Sequence, residues 1–184
     1  MTPHPSDTAG LLRRIEQLEG AARRSEAADA IRRCVVRYMH LCDHLDARTP
    51  IDELAGLFTR DAVWQGKGAR YAGGFGGHRG RAAIADMFRA YMGDPPHFRM
   101  NAHFLCSERI EVDETAEQAT AGWLMLQTST FSSGASHLNA AQLELRMALE
   151  EGRWRIAHFQ TENVFSRPVD RWEDAAPLPV PQAR

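Results

Sequence analysis

Long apolar runs are missing from this 184-residue chain. None reaches the roughly 18 residues needed to cross a bilayer, so no membrane helix is expected. Cysteine is scarce. Cys34, Cys42 and Cys106 lie far apart, form no CxxC pair and leave an odd thiol. That argues against a disulfide framework and for a reducing, cytoplasmic setting. The opening residues, MTPHPSDTAG, lack the apolar core of a secretory leader. Neither charge sign dominates, since 22 Lys and Arg stand against 24 Asp and Glu. With no basic stripe interleaved with aromatics, nucleic acid is not an expected partner. The glycine-rich stretch 66–80, GKGARYAGGFGGHRG, holds neither a GxxxxGK-Ser/Thr nor a GxGxxG pattern. It reads as a loop over a pocket mouth rather than a phosphate cradle. His78, His97 and His137 stand at no ligand spacing from a carboxylate or another histidine, so no metal is expected.

What is present suits one soluble domain, with 43% hydrophobic residues. Residues 1–24 read either as a short amphipathic helix, with Leu11, Ile15 and Leu18 at helical spacing, or as a mobile arm used in assembly. Residues 25–166 form the domain, and 167–184, with four prolines, an extended tail. Ser25 is the expected N-cap of a helix over 27–46, with Glu26 and Asp29 suited to its first turn. Ile31, Val35, Tyr38, Cys42 and Leu45 recur at three- and four-residue steps as a buried stripe. Val36, Met39 and Asp43 form a second stripe beside it, while Arg33, Arg37, His40 and His44 face water. Asp43 therefore flanks the apolar face. Thr49-Pro50 is the expected start of a short helix over 51–58. A strand over 62–65 carries Trp64, and a helix covers 81–92. Strands over 100–113, 119–131, 136–150 and 154–165 make an antiparallel meander. Helices first and a curved sheet second is an α+β layout.

Five pieces carry a resemblance: AIRRCVVRYMHLCDHLD, ELAGLFTRDAVW, HRGRAAIADMF, AHFLCSERIEV and EEGRWRIAHFQTENVF. Their order resembles the nuclear-transport-factor-2-like (cystatin-like) fold in its SnoaL-like branch. The resemblance implies a cone, with N-terminal helices packed into a strongly bent antiparallel sheet and a pocket inside. Within that superfamily the chain is most similar to the scytalone dehydratase, bile-acid dehydratase and hexachlorocyclohexane dehydrochlorinase group. That group pairs a helix aspartate with a strand histidine, at positions matched here by Asp43 and His103. Tyr38 matches a pocket tyrosine and Trp64 a pocket-lining tryptophan. A bent sheet offers an exposed convex face that needs cover, so a homo-oligomer is expected, and the group implies a trimer rather than a dimer. A base and its orienting carboxylate need no cofactor. Two features depart from the group. Near Gln127 this chain lacks the acid some dehydratases carry, and the glycine-rich insertion is not part of the common core.

A neutral imidazole, with an ordinary pKa of about 6.5, accepts a proton at neutral pH. A carboxylate on its other ring nitrogen fixes the tautomer and stabilises the cation that forms. His103 is thus the expected base, Asp43 its orienting partner, and Tyr38 a donor to a substrate oxygen. The expected activity is a cofactor-free lyase (dehydratase-like) or isomerase acting on a hydrophobic, cyclic small molecule. Polyketide cyclisation, ligand binding without catalysis, and a dioxygenase small-subunit role stand as alternatives. Each residue also has a plainer reading. Asp43 pairs with Arg32 or a neighbouring chain, His103 bonds a backbone group, and Tyr38 is core. Trp64, Trp123, Met125 and Phe165 are expected as apolar wall. Gln127, Asn139, His158 and Asn163 lie on strands whose period of two leaves their face open. On a straight strand His103 faces away from Ile110 and Val112, an objection the expected bend must answer.

Overall fold

The computed structural model describes residues 5–68, 71 and 76–170. The chain opens on one helix, α1 (Pro5–Asp43), of 39 residues. The expected break at Ser25 does not occur. Residues 11–24 are mostly Leu, Arg, Glu, Gln and Ala, all good helix formers, and nothing in them turns the chain out of the helix. Ser25 therefore lies inside α1 instead of capping it. α1 stops at Asp43, short of the expected 46, so Leu45 is buried from the turn that follows; the stripe is as expected at Ile31, Val35 and Tyr38, Cys42 is half-buried, and Val36 is exposed.

A short helix α2 (Ile51–Gly56) follows, with Pro50 rather than Thr49 at its N-cap. Thr49 instead closes the preceding turn. Its buried hydroxyl accepts the Asp46 N–H (2.8 Å) and donates to the His44 carbonyl (3.1 Å). Strand β1 (Phe58–Lys67) is longer than its expected four residues and pairs with β2 (His78–Arg79). Helix α3 (Arg81–Arg89) precedes the meander of β3 (Phe98–Val112), β4 (Gln118–Phe131), β5 (Ser136–Glu150) and β6 (Arg153–Val169). The six strands form one curled, unclosed sheet in the order β2-β1-β6-β5-β4-β3. All neighbours are antiparallel except β1 and β6. Part of the glycine-rich stretch, 69–70 and 72–75, lies outside the described residues, as does the tail from 171.

The buried stripe of α1 packs into the sheet's hollow. Ile31, Val35, Phe58, Leu54, Ile84, Leu143, Met147 and Ile156 are essentially inaccessible. Two one-residue bulges decide which side chains point into that hollow. On β3, Cys106 pairs with Leu124 but Arg109 pairs with Gly122, so Ser107 and Glu108 together oppose Trp123. Ser107 takes a left-handed backbone, with φ 52°. The extra residue shifts the alternation. His103 and Leu105 therefore share the inner face with Ile110 and Val112, which removes the objection raised by a straight strand. On β6, Asn163 pairs with Ala141 and Phe165 with Ala140, leaving Val164 as the inserted residue.

His158 lies opposite Arg146 and Val63 in the sheet. Its Nε2 is buried with no partner among the described residues. Burial, then Arg146 and Arg79, push its pKa below the usual histidine range. A depressed histidine favours folding while neutral. As pH falls through about 6.5 the unfolded chain takes the proton first, so stability drops from there down to the folded-state pKa. His158→Gln is expected to flatten the fall in melting temperature between about pH 7 and 5.5 relative to wild type.

Candidate active site

Asp43 is the last residue of α1, at the helix's negative end, where a carboxylate is intrinsically disfavoured. Strand β3 supplies the compensation. The His103 backbone N–H donates to Asp43 Oδ1 (3.1 Å) and Oδ2 (3.4 Å), and the His103 ring places Nδ1 2.6 Å from Oδ1. A carboxylate only accepts, so Nδ1 carries the hydrogen and a neutral ring keeps Nε2 bare. Both side chains are mostly buried, at 11% and 18% exposure. Arg32 does not compete for Asp43, because it bonds Asp29 and Glu108.

His103 lies on the wall of a cavity of about 520 Å³. One side of it is aromatic. The Tyr38 ring meets Phe58, Phe88 and Phe159 at centroid distances of 5.6, 6.0 and 5.1 Å. Trp64 stacks flat on Phe159, its strand partner, at 5.7 Å, and its Nε1–H donates to the Tyr38 hydroxyl (3.0 Å). Burial pushes the Tyr38 phenol well above its usual range and the Cys42 thiol up to about 12, so both keep their protons near neutral pH. Tyr38→Phe is expected to cost about 1–3 kcal/mol of stability, because the buried Trp64 Nε1–H loses this acceptor, read as a shift in urea midpoint.

The other side is a row of carboxamides. Asn101 Nδ2 donates to the Cys42 carbonyl (3.4 Å), Gln127 Nε2 to Asn101 Oδ1 (2.9 Å), and Asn139 Nδ2 to Gln127 Oε1 (3.4 Å). A backbone carbonyl only accepts, so it sets the direction of every amide in the row. Asn139 Oδ1, at the far end, is buried with no partner among the described residues. His103, Gln127, Asn139 and Ser166 are directly opposite one another on β3, β4, β5 and β6.

Of the residues expected at the site, Tyr38, Trp64, His103, Met125, Gln127, Asn139 and Asn163 line the cavity, with Asp43 behind His103. Trp123 and Phe165 do not. Trp123 does face inward but lies opposite the β3 bulge, in the core. The β6 bulge turns Phe165 out of the cavity and brings Ser166 in, so the lining steps from Asn163 to Ser166. The plainer reading of Tyr38 also holds, since its ring belongs to the core while its surface reaches the cavity. Asn101, Phe159 and Thr161 were not singled out in the sequence. Asn101 stands two residues before His103 and shares its face, a signal period two offers once His103 is placed. Among the described residues, no group of three His, Cys, Asp or Glu side chains is placed to share a metal ion, and no helix is long and apolar enough to cross a membrane.

A long helix laid in the hollow of a curled, unclosed sheet, with a cavity between them, is the nuclear-transport-factor-2-like architecture. Within it, this chain belongs to the SnoaL-like domain family, whose model matches residues 23–160. No curated protein matches the sequence. Solved structures do share the fold. A candidate scytalone dehydratase from Novosphingobium aromaticivorans is 19% identical, with 89% of this chain and 99% of that one aligned at a TM-score of 0.67. The hexachlorocyclohexane dehydrochlorinase LinA-type3 from Novosphingobium barchaimii is 18% identical, with 85% and 99% aligned at 0.68. An NTF2-like protein with a cystatin-like fold from Novosphingobium aromaticivorans is 23% identical, with 89% and 92% aligned at 0.58. Identities this low establish a common fold.

Proposed function

We propose that the protein is a cofactor-independent lyase or isomerase that removes a proton from a hydrophobic, cyclic small molecule through His103. The observation that carries the proposal is the 2.6 Å contact between His103 Nδ1 and Asp43 on the wall of a mostly apolar cavity. In an elimination, bare Nε2 takes a hydrogen from carbon and the C–H electron pair becomes the new double bond. The leaving hydroxyl or halide departs from the neighbouring carbon with its own pair. The Asp43 carboxylate stabilises the imidazolium that forms, as expected of a fixed charge beside a mostly apolar cavity. Tyr38, held protonated, returns a proton to a departing hydroxyl. In an isomerisation the same proton goes back at another carbon. The family match and the dehydratase and dehydrochlorinase names of two structural neighbours lend this chemistry support.

The test is incubation with cyclic β-hydroxy ketones, cyclic enones and chlorinated cyclohexanes in D2O, followed by mass spectrometry. Deuterium uptake beside the carbonyl, or loss of water or chloride, is the expected result. Neither uptake nor elimination across the panel rejects the proposal.

A further inference from the structure

Four of the nine large exposed apolar side chains among the described residues lie on the first half of α1: Leu11, Leu12, Ile15 and Leu18. No residue from 8 to 26 is buried, and Ala27 is the first that is. At about 1.5 Å per residue, those 19 residues carry the helix roughly 28 Å beyond its packed part. A helix standing free in water is marginal and needs an apolar contact to persist.

The spacing of the exposed residues says what that contact is. Leu11, Ile15, Leu18 and Ala22 follow the alternating four- and three-residue steps of a coiled-coil seam, with Leu11 and Leu18 at d and Ile15 and Ala22 at a. Leucine at d with β-branched isoleucine at a favours two parallel strands. The flanking charges agree. Arg14 falls at g and Glu19 at the following e, the pair that meets across a parallel seam, where an antiparallel seam over the same four residues sets Arg14 beside Ala21 and leaves both charges without a partner across it. Gly10 and Gly20 fall at c and f, off the seam. Leu18 and Ala27 are nine residues apart, which is half a turn around the helix, so the seam faces away from the buried stripe. A partner helix thus approaches without meeting the sheet. Beyond Ala22 the same face turns polar at Ser25, Asp29 and Arg32, where Arg32 bonds Glu108 of β3.

We propose that residues 11–22 of α1 pair with the same residues of a second copy of this chain in a parallel, two-stranded coiled coil. The pairing joins two copies whatever further contacts the sheet makes, and it leaves the His103 cavity of each copy intact.

The test is the mass of the full-length protein by light scattering. Ile15→Asp is expected to halve it, as are Arg14→Glu and Glu19→Arg, while the double variant Arg14→Glu/Glu19→Arg restores it. Leu11→Cys is expected to form a covalent dimer on mild oxidation that wild type, with its native cysteines, does not. Only a parallel seam brings residue 11 beside its own copy within disulfide reach. Circular dichroism shows whether each variant is folded, and Arg14→Glu and Glu19→Arg, both at exposed sites, serve if Ile15→Asp is not. A monomeric wild type, a mass unmoved by all three single variants, a threefold drop, or no self-crosslink at Leu11→Cys overturns the proposal.

Discussion

His103→Ala is expected to lower turnover by about 10²- to 10⁴-fold, the usual contribution of a general base. The fold should survive the change. Asp43 loses its ring partner but keeps the His103 backbone N–H at 3.1 Å, so the stability cost is that of a weakened carboxylate site, about 1–3 kcal/mol. Asp43→Asn separates the two jobs of the carboxylate. A carboxamide oxygen still accepts the backbone N–H, so the melting temperature should move little. Its neutral charge no longer stabilises an imidazolium, and its NH2 group turned to Nδ1 selects the wrong tautomer. Turnover is therefore expected to fall nearly as far as with His103→Ala. The double variant should be little worse than either single one, since residues acting as a unit are not additive. Full activity in Asp43→Asn, with stability lost, reduces Asp43 to a clip holding α1 on β3.

The chain's writing of its own fold is clearest where one period runs undisturbed. The stripe through Ile31, Val35 and Tyr38 follows helical spacing and is buried as that spacing implies. The strands of the meander are long and begin and end within two residues of expectation, except β6, which runs on to Val169. Asp43 and His103 were matched by position in a resemblance, and the structure brings their side chains together. Failures cluster where one residue breaks the count. Phe165 was assigned to the cavity wall, but the residue inserted at Val164 turns it away. Trp123 was assigned to the same apolar wall. It is inward, but depth along a strand is not written in alternation. Ser25 had the chemistry of a cap without a preceding break, and capping chemistry alone does not start a helix that is already under way.

Deleting Ser107 should be among the most damaging single changes to the sheet. Its left-handed φ of 52° lets two residues of β3 stand against Trp123. Without it the strand alternates strictly, and one half must turn over. If the half beyond the bulge turns, Ile110 and Val112 go to water and the charged Arg109 and Glu111 face the hollow. If the half before it turns, Asn101, His103 and Leu105 leave the inner face, taking with them both the contact to Asp43 and the first link of the carboxamide row. Either outcome costs about 3 kcal/mol or more, by burying charge or by stripping a core face. Ser107→Gly should do the opposite. Glycine takes a positive φ without the steric cost, of about 1–2 kcal/mol, that a side chain meets there, so the urea midpoint should hold or rise slightly. Because the first variant changes residue count and the second only the side chain, comparing them isolates the count. Equal midpoints, with the His103 site active in both, contradict the claim that this inserted residue decides which face His103 occupies.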